Sequence, residues 1–97
     1  MSLFWNDAAR LELVEATSYY GQIDDELSGR FGAAVEAATL RICSAPCMHR
    51  RFKGEMRKVR VERFPYALVY RIEENGLHLV SVMHLHRRPG YWNGRVE

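Results

Sequence analysis

Long hydrophobic runs, prolines and cysteines are all scarce in this chain of 97 residues. No run is apolar and long enough to span a bilayer, which excludes a helical membrane anchor. The N-terminus has no basic segment leading into an apolar stretch, so nothing reads as a secretory leader. The expectation is a soluble, cytoplasmic chain with no membrane partner. Only Cys43 and Cys47 are present, too few for a disulfide framework in an unexported chain. Pro46 ends any helix that would set them one turn apart. A buried Cys43 and a free Cys47 are expected, in preference to a two-cysteine metal site with His49. Repeats, low-complexity tracts and linkers are also missing, so residues 1–97 read as one domain.

What is there suffices for a core. Hydrophobic residues make up 47% of the chain, enough for a small domain without metal or disulfide support. The net charge of +2 hides a division. Residues 1–45 carry three arginines against seven acids, a net of −4, and residues 46–97 carry eleven basic residues against five acids, a net of +6. That asymmetry points an anionic partner at the back half, although a mixed solvated surface would read the same way.

The period of the apolar residues changes midway. Asn6 or Asp7 can cap a first helix whose acids Asp7, Glu12 and Glu15 fall early, as its dipole favours. This helix is expected to run to Tyr20 and stop at Gly21. Asp24 caps a second helix with Leu27, Phe31, Ala34, Val35, Ala38 and Ile42 on one stripe. Residues 45–52 read as a loop. From Lys53 to Arg63 the residues alternate, with Val59 and Val61 on one side and Lys58, Arg60 and Glu62 on the other. Leu68, Tyr70 and Ile72 continue the apolar face after a break at Pro65, while Ala67, Val69 and Arg71 oppose them. Glu73-Glu74-Asn75-Gly76 then predicts a tight hairpin whose central residues take positive φ. The strand from Leu77 to His86 is apolar on both sides, with Leu77, Leu79, Met83 and Leu85 on one and Val80 and Val82 on the other. Such a strand is central or covered on its second face. Helices first and strands after give an α+β fold: an antiparallel helix hairpin packed on a three- to four-stranded antiparallel sheet. Ser2-Leu3-Phe4-Trp5 allows at most a rudimentary extra strand.

Directly after the last strand come His84, His86, Arg87, Arg88 and Tyr91, a titratable and cationic cluster at one end of the sheet. Trp92, beside Pro89 and Gly90, is expected to pin the C-terminal segment onto the domain. The run Arg63-Phe-Pro-Tyr-Ala-Leu-Val-Tyr-Arg-Ile72 through Met83-His-Leu-His-Arg-Arg-Pro-Gly-Tyr-Trp92 resembles the RelE/ParE superfamily. So do Leu13-Val14-Glu15-Ala16-Thr17-Ser18-Tyr19-Tyr20 and Phe31-x-x-Ala34-Val35-Glu36-Ala37-Ala38. These are the toxins of bacterial type II toxin–antitoxin systems.

The resemblance implies a toxin neutralised by a cognate antitoxin, with no cofactor and no metal. In the RelE-like branch it implies a ribosome-dependent messenger RNA endonuclease. Lys58 and Arg60 then stand for the paired basic residues of the family, Tyr91 for its C-terminal tyrosine and His86 for the histidine of YoeB-type toxins. Arg87 or Arg88 would supply a phosphate-binding arginine. The pattern departs at Ala67, where the family has an arginine after the hairpin tyrosine, and at Leu85, where a second arginine aligns. In the ParE-like branch it implies inhibition of DNA gyrase by binding. A catalytically silent relative that only binds protein partners is the third reading. For the antitoxin, the second face of the last strand is the expected surface: Leu79, Met83 and Leu85 as an apolar patch, flanked by Lys58, Arg60 and Arg71. Without antitoxin that patch would favour a homodimer. His84 and His86 have a spacing that suits a metal, but no third ligand lies near. Tyr19, Tyr20, Tyr66 and Tyr70 read as packing residues.

Overall fold

A computed structural model describes residues 2–95, with β1 at Leu3–Trp5, α1 at Asp7–Ile23, α2 at Asp25–Ser44, β2 at Arg51–Lys53, β3 at Met56–Val61, β4 at Tyr66–Glu73 and β5 at Gly76–His84. The five strands form one sheet in the order β1-β5-β4-β3-β2, antiparallel except for the parallel β1–β5 pair. The α+β arrangement is as expected, but the sheet is larger. Arg51 and Phe52, expected in a loop, and Lys53, expected to begin the following strand, form β2 and turn back into β3 through Gly54, whose φ of 56° suits a residue without a Cβ. Among the described residues no helix is long and apolar enough to cross a membrane.

Asn6 caps α1 by accepting from the Ala8 amide at 2.9 Å, and Asp24 caps α2 by accepting from Glu26 at 3.1 Å. Gly21 does not end α1. It keeps helical geometry, and a Cβ there would meet Ser28 of α2 at an ordinary 3.7 Å. The stop is Asp24, whose N–H closes on Tyr20 O at 2.9 Å while its side chain starts the next helix. One residue therefore serves both helices and sets the tight hairpin.

The helix pair covers one face of the sheet. Phe31, Val35, Ala38 and Ile42 from α2 and Ala9, Ala16 and Tyr20 from α1 bury against Val59, Val61, Leu68, Tyr70, Leu77, Leu79 and Val82. Burying each large apolar side chain contributes about 1.5–3 kcal/mol relative to leaving it exposed. Tyr20, Phe31, Phe64 and Tyr66 meet edge-on or tilted, with most centroids 5.0 to 5.3 Å apart, the geometry aromatic quadrupoles favour. Cys43 is exposed, contrary to expectation, because the core position of that turn belongs to its neighbour Ile42. Tyr19 is likewise 58% exposed, whereas Tyr20 beside it is core.

On the other face Ala67, Val69, Val80 and Met83 form a second cluster. The segment after β5 folds back over it, and Trp92 is the lid at 1% exposure. β5 is therefore both central and covered. Its parity is not the simple alternation read from the sequence. The β4–β5 register pairs Val69 with Ser81 but Tyr70 with Leu79, leaving Val80 as an extra residue. Past that bulge, Val82 joins the helix-side core and Met83 the other.

The hairpin turn also differs. Gly76 alone takes positive φ, 139°, and Asn75 does not. Gly76 is needed for a different reason: a Cβ there would lie 2.5 Å from the carbonyl oxygen of Ser2, which accepts from the Leu77 amide at 2.8 Å. β1 docks on β5 at that point.

Candidate functional site

Glu12 is the centre of the region where the cationic cluster lands. Helix α1 carries it onto the stretch of β5 that β1 leaves unpaired. The bulge presents the Val82 amide, which donates to Glu12 Oε1 at 3.1 Å, as does Ser81 Oγ at 3.1 Å. Arg95 adds a donor to the same oxygen at 3.0 Å and another to the Val80 carbonyl at 3.1 Å. Arg87 reaches Oε2 at 3.6 Å. A carboxylate with a side chain only 14% exposed thus receives two guanidiniums, one hydroxyl and one amide, so its charge is compensated.

Tyr91 completes the cluster. Its hydroxyl hydrogen-bonds Ser81 Oγ, and the Arg87 and Arg95 guanidiniums lie over its ring at 3.5 and 5.1 Å from the centroid. Burial pushes its phenol above the ordinary value. The Ser81 hydrogen bond acts in the opposite direction, and Glu12 adds to the upward shift. An open cleft of about 280 Å³ adjoins these groups, lined by Glu12, Glu15, Tyr19, Tyr66, His84 and Arg87 among others.

The remaining expected site residues lie apart. His86 is exposed beyond the end of β5, its amide donating to His84 Nδ1 at 3.1 Å. Lys58 and Arg60 pair with Val69 and Ala67 on β3, two strand spacings, roughly 10 Å, from β5. Lys58 lies 4.7 Å over the Phe52 ring, and Phe52 packs on Trp92 at 5.7 Å. Lys58 therefore faces the rim of the C-terminal segment rather than Tyr91. Arg87 joins Tyr91; His86, Lys58 and Arg60 do not. Ala67 is 1% exposed, so the position where the family pattern has an arginine lies under the C-terminal segment.

The expected apolar patch on the second sheet face is not a surface. Leu79 is fully buried under the helices, and Met83 is buried on the opposite side of the sheet by the chain's own C-terminal segment. The bulge separates them. Leu85 is half-buried against the second cluster, and Arg71 is tied to Glu73 at 4.0 Å. Exposed apolar side chains lie mostly on the helices and the loop after them, at Leu11, Val14, Ile23, Leu40 and Met48, with Phe4 on β1.

Sequence reasoning missed Glu12, Ser81 and Arg95. Ser81 carried a signal, as the single hydroxyl inside an otherwise apolar strand. Glu12 read only as an early acid of a helix, and its partners lie 69 and 83 residues away. Among the described residues no three His, Cys, Asp or Glu side chains stand together to hold a metal ion.

With this geometry in hand, residues 3–89 match a family model described as the ParE toxin of the type II toxin-antitoxin system, parDE. No curated protein matches the chain.

Proposed function

Since the chain belongs to the ParE toxin family of type II toxin–antitoxin systems, we propose that it acts by binding and inhibiting DNA gyrase rather than by cutting messenger RNA. One observation carries this reading: the groups a ribonuclease would use are not assembled. Cleavage needs a base near the 2′-hydroxyl, an acid near the leaving oxygen and cations on the phosphate between them. Here the Tyr91 hydroxyl is held by Ser81, and the Arg87 charge is compensated by Glu12. Lys58 and Arg60 stand on another strand. Neither Ala67 nor Leu85 can supply the arginine it replaces.

A binder needs a rigid, distinctive surface instead. The exposed stretch His86-Arg87-Arg88, held between β5 and the buried Trp92, is basic, and its Arg88 has no ion-pair partner among the described residues. It suits an acidic patch on an enzyme target. The partner that neutralises the toxin is the antitoxin that family membership implies.

Two assays on the purified protein separate the mechanisms. Gyrase supercoiling is expected to be inhibited, and Arg87→Glu with Arg88→Glu to weaken inhibition at least roughly tenfold through charge reversal. Messenger in a translation extract is expected to stay whole, and His86→Ala to leave inhibition unchanged. Ribosome-dependent cleavage abolished by His86→Ala would reverse the assignment. Neither activity would make the chain a silent binding module.

A further inference from the structure

A groove that shares no lining residue with the cleft beside Glu12 has the chemistry of a docking site, and we infer that it receives a segment of the antitoxin carrying an apolar side chain beside a carboxylate. The groove has a volume of about 420 Å³ and runs between α2 and the β3–β4 turn. Leu27, Ala33, Ala34 and Phe64 line it together with Arg30, Arg63 and one carboxylate, Glu62, which lies within 3.9 Å of Arg41. Two alanines in succession leave the space open. Leu27 and Phe64 belong to the core below, so the floor is fixed.

Arg63 points to an occupant. Phe64 N–H closes on Val61 O at 3.3 Å, which makes residues 61–64 a β-turn, and Arg63 at its third position has a φ of 73°. It is the only described non-glycine residue with positive φ, in a turn position that favours glycine. Glycine would carry the chain through this turn without strain and still deliver Phe64 to the core and Pro65 to the next strand. The strained arginine adds only its side chain, and such outliers collect where a side chain is used. Arg63 has no ion-pair partner among the described residues, whereas Arg30 is held by Glu26 at 2.6 Å and Glu62 stands 3.9 Å from Arg41. One uncompensated guanidinium above an apolar floor fits an amphipathic, acidic segment.

The inference stands on family membership alone and is independent of whether gyrase or the ribosome is the target. The purified cognate antitoxin is titrated into wild type, Arg63→Gly, Arg63→Lys and Ala33→Glu, and each toxin is melted alone. Arg63→Gly is expected to melt a few degrees higher, as strain is released, yet to bind roughly tenfold more weakly. Arg63→Lys keeps the charge and is expected to keep most of the affinity. Ala33→Glu places a carboxylate against the incoming one and is expected to weaken binding by a similar factor.

Equal affinity across all four proteins would overturn the inference. So would unchanged antitoxin affinity with lost inhibition of the target, which would assign the groove to the target. An antitoxin that does not bind even the wild type would defeat the pairing itself, and the groove with it.

Discussion

At the scale of single residues, Tyr70 shows how a polar tip is accommodated in a core. Its ring is fully buried in the helix-side cluster, while its hydroxyl donates to the Pro46 carbonyl at 2.5 Å. The contact holds the loop after α2, which Arg57 also grips through the Cys47 and His49 carbonyls at 3.1 and 2.7 Å. Burial pushes the Tyr70 phenol up to about 12, with Arg57 acting against the shift. The folded-state value is raised, so the native state keeps this proton after the unfolded state has lost it. Stability is therefore full below about pH 10 and falls between about pH 10 and 12, by at most about 3 kcal/mol. Urea unfolding between pH 8 and 11.5 is expected to show this decline. Tyr70→Phe is expected to flatten it while costing about 1 kcal/mol at neutral pH through the lost hydrogen bond. An unchanged alkaline slope in the variant would assign the decline to Tyr20, Tyr66 and Tyr91, whose phenols are also shifted upward.

At the scale of elements, the segment after β5 is the one held least by its backbone. Its main-chain hydrogen bonds are mostly local turns, such as Asn93 to Gly90 and Arg95 to Trp92. What keeps it on the sheet is side-chain contact: buried Trp92, the Tyr91–Ser81 hydrogen bond, and the ion pairs of Arg87 and Arg95 with Glu12. Glu12→Ala removes the acceptor of two guanidiniums, a hydroxyl and an amide at once, and is expected to cost about 2–3 kcal/mol. Glu12→Gln keeps an oxygen for Ser81 and Val82 and is expected to lose about half as much. Denaturant titration gives both values. Trp92 emission should shift to the red in the alanine variant as the segment loosens. Stability within about 0.5 kcal/mol of wild type would mean that the Glu12 contacts do not hold the segment.

At the scale of the whole molecule, an acidic helical half is joined to a basic sheet half, and both sheet faces are closed by the chain itself. A homodimer through the second sheet face would have to displace Trp92 first. Binding of the antitoxin to the native state alone stabilises it by mass action, about 4 kcal/mol at a thousandfold excess over Kd. The melting temperature is therefore expected to rise steadily with antitoxin concentration, and the gain to shrink with added salt if Arg63 meets a carboxylate of the antitoxin. A melting temperature indifferent to antitoxin would rule out binding to the folded toxin.

The sequence by itself determined the helix hairpin and the Asp24 cap of its second helix, the helix-side apolar faces of β3 and β4, the α+β layering and the family. Those features rest on local chemistry: a side chain capping its own helix at Asp24, a 3.6-residue stripe from Leu27 to Ile42, a two-residue alternation from Val59 to Ile72. The tertiary structure alone decided the rest. The bulge at Val80 changes the parity of β5 and moves Met83 and Leu79 to opposite cores, and a bulge is set by the register of the partner strand. Gly76 is required by the approach of Ser2, which is remote in sequence. Glu12 finds Ser81 and Arg95 only once α1, β5 and the C-terminal segment converge. The separation of Lys58 and Arg60 from Ser81, which holds Tyr91, likewise appears only when β4 is seen to lie between β3 and β5, because order along the chain does not fix distance across a sheet.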